Sequence, residues 1–173
     1  MSSDLHYVVK FAYMHHRFYL LWKDGGADPD RYAKSPRSSR ILSASTKHEL
    51  LVLADANGFA VATQATQVID LDLVFRSLRN LRPSKPLSQR ECELLLECWN
   101  ALEDLARTLK VGFFPARADR GDANAVCRKL FKGNNVPAVS PSATCRVQLD
   151  SRELWILRTV LRNAAKITLS ASE

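Results

Sequence analysis

The side chains with chemistry to offer are four histidines, four cysteines and several close carboxylates. His6, His15, His16 and His48 lie in the first 48 residues, whereas Cys92, Cys98, Cys127 and Cys145 all lie further along. Nucleophilic catalysis would need a fold that brings a thiol or hydroxyl to one of those imidazoles. No G-x-S-x-G elbow exists to present a serine. His48 falls on the first turn of an expected helix, a solvated position. No two cysteines form a C-x-x-C pair, and no histidine sits at zinc-ligand spacing from them. All four read as reduced thiols. Cys92 and Cys98 fall in an apolar helical run, where a thiol behaves as a small hydrophobe.

Carboxylates pair as Asp70/Asp72, Glu91/Glu93/Glu97 and Glu103/Asp104. Such pairs can divide acid and base roles. Asp70 and Glu91, however, fall in helix first turns, where negative charge answers the macrodipole, and capping is the stronger reading. Gly25-Gly26 lacks the Gly-Lys-Ser/Thr of a phosphate loop, and no G-x-G-x-x-G occurs. These residues assign no catalytic group, cofactor or metal.

Binding chemistry is better represented. Arg76, Arg79, Arg82, Lys85 and Arg90 follow one another with no acidic residue between Leu73 and Arg90. Arg76 and Arg79 are one turn apart and share a face. The tract could contact phosphates, but it has no interleaved aromatics and no helix-turn-helix or RNA-recognition signature. A solvated face, or one that docks an acidic patch on a protein, fits it better, and direct nucleic-acid binding is not expected. Two acidic sets lie in loops, Asp24, Asp28 and Asp30 in one and Asp119 and Asp122 in the other. Loops on a rigid scaffold are where recognition concentrates.

The elements that position these groups follow from periodicity and punctuation. His16–Lys23 is rich in aromatic and aliphatic residues and reads as a strand. Residues 24–38 read as a loop, and Arg40–Ser43 as a short strand. Thr46 and Glu49 have capping-box spacing ahead of a helix whose stripe is Leu50, Leu51, Leu53 and Ala54, ended by Asn57-Gly58. Thr66–Ile69 suits another strand. Asp70 caps a helix with Leu71, Val74, Phe75 and Leu78 on one side. Arg82–Pro86 is a stiff connector.

Ser88-x-x-Glu91 opens the clearest helix, to Lys110, with Gly112 just past its end. Asp122 is the expected cap of a helix carrying Val126, Cys127, Leu130 and Phe131, with Gly133 as its stop. Asp150-x-x-Glu153 opens a last helix through Leu154, Leu157, Val160, Leu161 and Ala164. The expected fold is α+β: a small N-terminal sheet packed on a mainly helical body.

The totals agree. A chain of 173 residues is the size of one domain and can bury a real core. Hydrophobic content of 46% and charged content of 25% are ordinary globular values. The net charge of +7 is compatible with nucleic acid, an anionic membrane or an acidic protein. No secretory h-region opens the chain, and no apolar run approaches the roughly 20 residues of a membrane span. Residues 1–15 read as an upstream or disordered extension, 16–167 as the domain and 168–173 as a frayed tail.

Lys129-Leu130-Phe131-Lys132-Gly133-Asn134-Asn135-Val136-Pro137-Ala138-Val139-Ser140-Pro141 compresses a helix end, a double-Asn turn and two prolines into one run. It resembles a segment of the immunity proteins of bacterial contact-dependent growth inhibition and related polymorphic-toxin systems. There the run reads Lys-Leu-Phe-aromatic-Gly-Asn-Asn-Leu-Pro-Ala-Val-Thr-Pro. This chain departs from it at Lys132 and, conservatively, at Val136 and Ser140. Phe18–Gly25 resembles the family's opening strand. Ser39–Ser43 and the capped Glu-Leu-Leu helix resemble its next unit. Leu96-Glu97-Cys98-Trp99-Asn100 resembles its Phe-Trp-Asn motif, with Cys98 in place of the aromatic. The likeness spans about residues 16–165.

The resemblance implies a cytoplasmic protein without a cofactor. Such a protein forms a heterodimer with the C-terminal toxin domain of a secreted effector, often a nuclease and frequently an RNase, and blocks it without chemistry of its own. Trp22, Trp99, Asn100, Phe131, Gly133 and Pro137 would be scaffold, with Trp99 and Phe131 as core anchors. Asp24, Asp28, Asp30, Asp119, Asp122, Lys132, Asn134 and Asn135 are the candidate contacts. The alternative is a nucleic-acid-binding or regulatory module that uses the Arg76–Arg90 tract.

Overall fold

The computed structural model describes residues 5–26, 28–38, 40–139 and 146–171, with backbone alone at 135–139 and 170. Among them are five helices, a six-stranded mixed sheet and a two-stranded ribbon. The α+β expectation is met.

The sheet is built on a hairpin of β1 (Leu5–Tyr13) and β2 (His16–Lys23), paired antiparallel from His6↔Lys23 to Tyr13↔His16. Residues 5–13 are therefore the centre of the sheet, not an extension. The strand was hidden because both faces of the hairpin are covered, so β1 lacks clean polar/apolar alternation. Val9, Phe11, Phe18 and Leu20 face the helical body, while Val8 and Leu21 face a second core with Leu42, Leu50 and Ala54. Met14 and His15 make the turn, at φ 49° and 69°. Two successive left-handed residues give the twist a hairpin needs, and the Met14 N–H donates to the Asp72 carboxylate at 3.2 Å.

β3 (Arg31–Tyr32) and β4 (Ser43–Ala44) both pair with the outer edge of β2. The 24–38 segment thus contains a strand, and the expected strand at 40–43 is a single Lys34↔Ile41 bridge followed by β4. Helix α1 (Lys47–Ala56) carries the expected Thr46/Glu49 box and ends at Asn57, with Gly58 at φ 74°. It crosses one face of the sheet and returns the chain as β5 (Ala60–Val61), then β6 (Gln67–Asp70), both parallel to β1. Asp70 caps α2 (Leu71–Asn80), which buries Leu71, Val74 and Leu78.

β7 (Pro86–Leu87) leads into α3 (Gln89–Leu109), whose Ser88/Glu91 box is formed. α3 is buried on most sides through Cys92, Leu95, Leu96, Cys98, Trp99, Leu102 and Leu105. It ends on Lys110 in left-handed geometry, ahead of the expected Gly112. α4 (Arg120–Val139) is capped by Asp119, not Asp122, since the Asp122 N–H donates to Asp119 Oδ1 at 3.0 Å. β8 (Val147–Gln148) pairs with β7. α5 (Ser151–Ala171) opens on the Asp150/Glu153 box. It runs through residues 168–171 with Thr168 and Ala171 buried, so that stretch is packed helix and not frayed tail.

Gly133 does not stop α4, and the helix continues to Val139. A Cβ at 133 would lie 2.5 Å from Cys92 Sγ and 2.7 Å from Val147 Cγ2. The glycine lets α4 approach α3 and β8 closely. A stop glycine and a contact glycine look alike in sequence, because each follows an apolar stripe. Phe131, two residues earlier, is 57% exposed and is not a core anchor, whereas Trp99 is fully packed against Phe113 and Phe114.

Candidate functional site

The acidic loop after β2 is wound tightly. Asp24 Oδ1 accepts the Gly26 N–H at 2.8 Å, and Asp30 Oδ1 accepts the Gly25 N–H at 3.0 Å. A Cβ at Gly25 would stand 2.0 Å from the Asp28 carbonyl oxygen. Asp24 and Asp28 are exposed, while Asp30 is half-buried.

A polar network pins this loop to α3. Arg107 donates to the Asp30 carbonyl at 3.2 Å and to the Asp104 carboxylate at 2.7 Å. Asp104 also accepts the Trp22 indole N–H at 3.0 Å. Thr108 Oγ1 donates to the Asp104 carbonyl and accepts the Tyr32 N–H at 2.9 Å. Burial raises the Asp104 carboxyl above its ordinary range, partly offset by Trp22 and Arg107. Burial, and next Asp104, hold the Tyr32 phenol well above its usual value. Trp22 thus has a scaffold role through both its ring and its N–H. Arg31, Lys34, Arg107 and Lys110 line an adjoining cleft of about 600 Å³. They cluster at the C-terminal end of α3, where cations answer the helix dipole.

The other candidate contacts separate. Asp119 is a helix cap and Asp122 pairs with Arg152, so both hold the start of α4. Lys132 is exposed. The Asn134 carbonyl accepts from Gln89 Nε2 at 3.3 Å, across to α3. The Asn135 and Pro137 side chains, and Ser140, Pro141 and Cys145 entirely, lie outside the described residues.

The basic tract also divides. Arg76 and Arg90 line a mixed-charge cleft of about 420 Å³ between α2 and α3, with Glu91, Glu93 and Glu97. Arg79 and Arg82 lie on the α5 side with Trp155, Arg158 and Arg162. Lys85 lines neither cleft. The α5 residues were out of reach of a local reading, although Trp155, Arg158 and Arg162 recur at helical spacing on one stripe.

α1 holds an exposed apolar surface that takes in two leucines of the expected buried stripe. Leu50 and Ala54 are buried as expected, but Leu51, Val52 and Leu53 are exposed, Val52 at 55%. Val52 and Leu53 line a shallow cleft of about 460 Å³ with Ser43, Ala44, His48 and Glu49. Leu53 and Ser43 continue into a second cleft, of about 540 Å³, shared with Ser35, Arg40, Leu109 and Ala171.

Among the described residues the four histidines fall in three separate places. His6 packs edge-on against Phe59 with centroids 4.8 Å apart, His15 and His16 sit at the hairpin turn, and His48 is on α1. Cys98 and Cys127 are free thiols. Burial pushes Cys98 far up and Cys127 up to about 11, the reverse of what activates a nucleophilic thiol. Among the described residues no group of three or more His, Cys, Asp or Glu side chains could hold a metal ion, and no helix is long and apolar enough to cross a membrane. No protein-family model matches the chain, and no curated protein or solved structure matches it.

Proposed function

We propose that this chain is a cytoplasmic immunity protein that binds the C-terminal toxin domain of a cognate effector one-to-one and blocks it. The observation that carries the reading is the outer surface of α1. Its apolar residues point both into the core and away from it, and two clefts flank the outward set. An apolar centre within a polar rim, here Lys47, His48, Glu49 and Asp55, is the make-up of a protein–protein interface. The motif residues support the same reading from the other side. Trp22 ties the sheet to α3 through Asp104, Trp99 packs α3 against Phe113 and Phe114, and Gly133 lets α4 close on α3, so the family-like segments serve as frame while partner contacts fall on α1 and the loops. The test is Val52→Glu, an exposed change that leaves the core intact. It should weaken binding to the toxin domain by about ten-fold or more if the site is an interface centre, with unchanged thermal stability. Equal affinity for the variant and the wild type would remove α1 from the interface.

A further inference from the structure

The structure assembles a basic groove that no stretch of sequence contains, and we propose that it binds single-stranded nucleic acid. Arg79 from the last turn of α2 and Arg82 just past it face Arg158 and Arg162 of α5 across a cleft of about 440 Å³, with Trp155 and Thr159 completing the lining. No carboxylate lines it, and among the described residues none of these arginines has a salt-bridge partner. Two of them are held in place by backbone. Arg158 donates to the Leu78 and Leu81 carbonyls at 2.9–3.2 Å, and Arg82 donates to the Arg79 and Leu81 carbonyls.

Capping the C-terminal carbonyls of α2 accounts for Arg82 and Arg158. The dipole of the same helix favours Arg79, which stands exposed in its last turn, but that helix end does not account for the exposed Arg162 of α5, nor for a tryptophan left 48% exposed among them. Guanidinium forks match phosphate oxygens in pairs. An exposed indole offers a platform on which an unpaired base stacks, whereas a paired base in a duplex cannot reach it. The aromatic missing from the Arg76–Arg90 tract is thus supplied by α5. The groove lies on the helical side of the sheet and α1 covers the other face, so this inference stands apart from the toxin-binding reading.

The test uses the full-length protein and a fluorescein-labelled single-stranded oligonucleotide of about ten nucleotides, a length that spans one such site. Anisotropy should report binding that weakens with salt, with a log–log slope of about −2 to −3 for three to four phosphate contacts. Arg79→Gln and Arg162→Gln should each cut the slope by about 0.7. Trp155→Ala should lower affinity about five- to a hundred-fold, the worth of one stacked base. Both exposed arginine variants should melt at the wild-type temperature. Absence of binding at about 50 mM salt, or binding that all three variants leave unchanged, would overturn the proposal. So would equal, equally variant-sensitive competition by polyglutamate of matched charge, which would make the groove a dock for acidic protein.

Discussion

Replacing Gly133 by alanine should destabilise this protein, although the same change inside an ordinary helix stabilises it by about 1 kcal/mol. The added methyl would lie 2.5 Å from Cys92 Sγ and 2.7 Å from Val147 Cγ2, at least ~1 Å inside the optimum contact distance between heavy atoms. Neither neighbour can swing aside, since Cys92 and Val147 are both buried. Overpacking of this kind costs about 1–3 kcal/mol. Two simultaneous overlaps place Gly133→Ala at the upper end, and subtracting the helix gain leaves a net loss of about 2 kcal/mol. In urea that is a midpoint lower by about 1 M for an m-value near 2 kcal/mol/M. Cys92→Ala removes the nearer obstacle. The double variant should therefore recover part of the loss, giving a coupling of about 1 kcal/mol between contacting sites. Gly133→Asn separates the two roles a glycine could have here. A left-handed helix stop tolerates asparagine, but a closely packed helix interior does not. If Gly133→Ala is stabilising, or Gly133→Asn is neutral, α4 does not pass Gly133 as described.

Other consequences can be measured in the same way. Replacing Met14-His15 by Asn-Gly puts residues suited to positive φ into the hairpin turn, and should raise the melting temperature by a few degrees, since each ordinary residue there costs about 1–2 kcal/mol; a lower melting point would contradict that turn. Burial raises Cys98, Cys127 and Tyr32. The stability tied to their protonated forms is full below the ordinary thiol value of 9.0 and is lost as pH climbs above it, because the unfolded chain ionises first. Alkaline urea titrations should therefore show a decline that Cys98→Ala makes shallower, and a flat profile would count against the buried thiol. Trp22→Phe removes the indole donor from Asp104 and should cost about 1–3 kcal/mol near pH 7. The loss should shrink as pH falls, because burial raises the Asp104 carboxyl and protonation removes the charge that strengthens the bond, and a loss independent of pH would detach Trp22 from Asp104.

The parts of this fold governed by local chemistry could be read from the sequence. The Thr46/Glu49, Ser88/Glu91 and Asp150/Glu153 boxes each formed where the spacing placed them, because a cap involves residues only three apart. What could not be read depends on partners distant in the chain. β1 has no alternation because helices cover one face of the hairpin and α1 the other, and neither covering is encoded within nine residues. Leu51 and Leu53 look like core from their type alone, and only the placement of α1 over the sheet decides which leucines stay outside. The Arg76–Arg90 tract is continuous in sequence but runs from α2 through the connector into α3, so its arginines separate into two clefts and Lys85 lines neither. The groove they help to form needs α5, more than 60 residues further on.

The most direct measurement is titration of the purified protein with the proposed cognate toxin domain, paired with survival of cells that express that domain. The immunity account predicts saturation at one-to-one stoichiometry with nanomolar or tighter affinity, and cells protected by the wild-type protein. An absence of heat or complex at micromolar concentrations, together with cells that die despite expressing the protein, would contradict it.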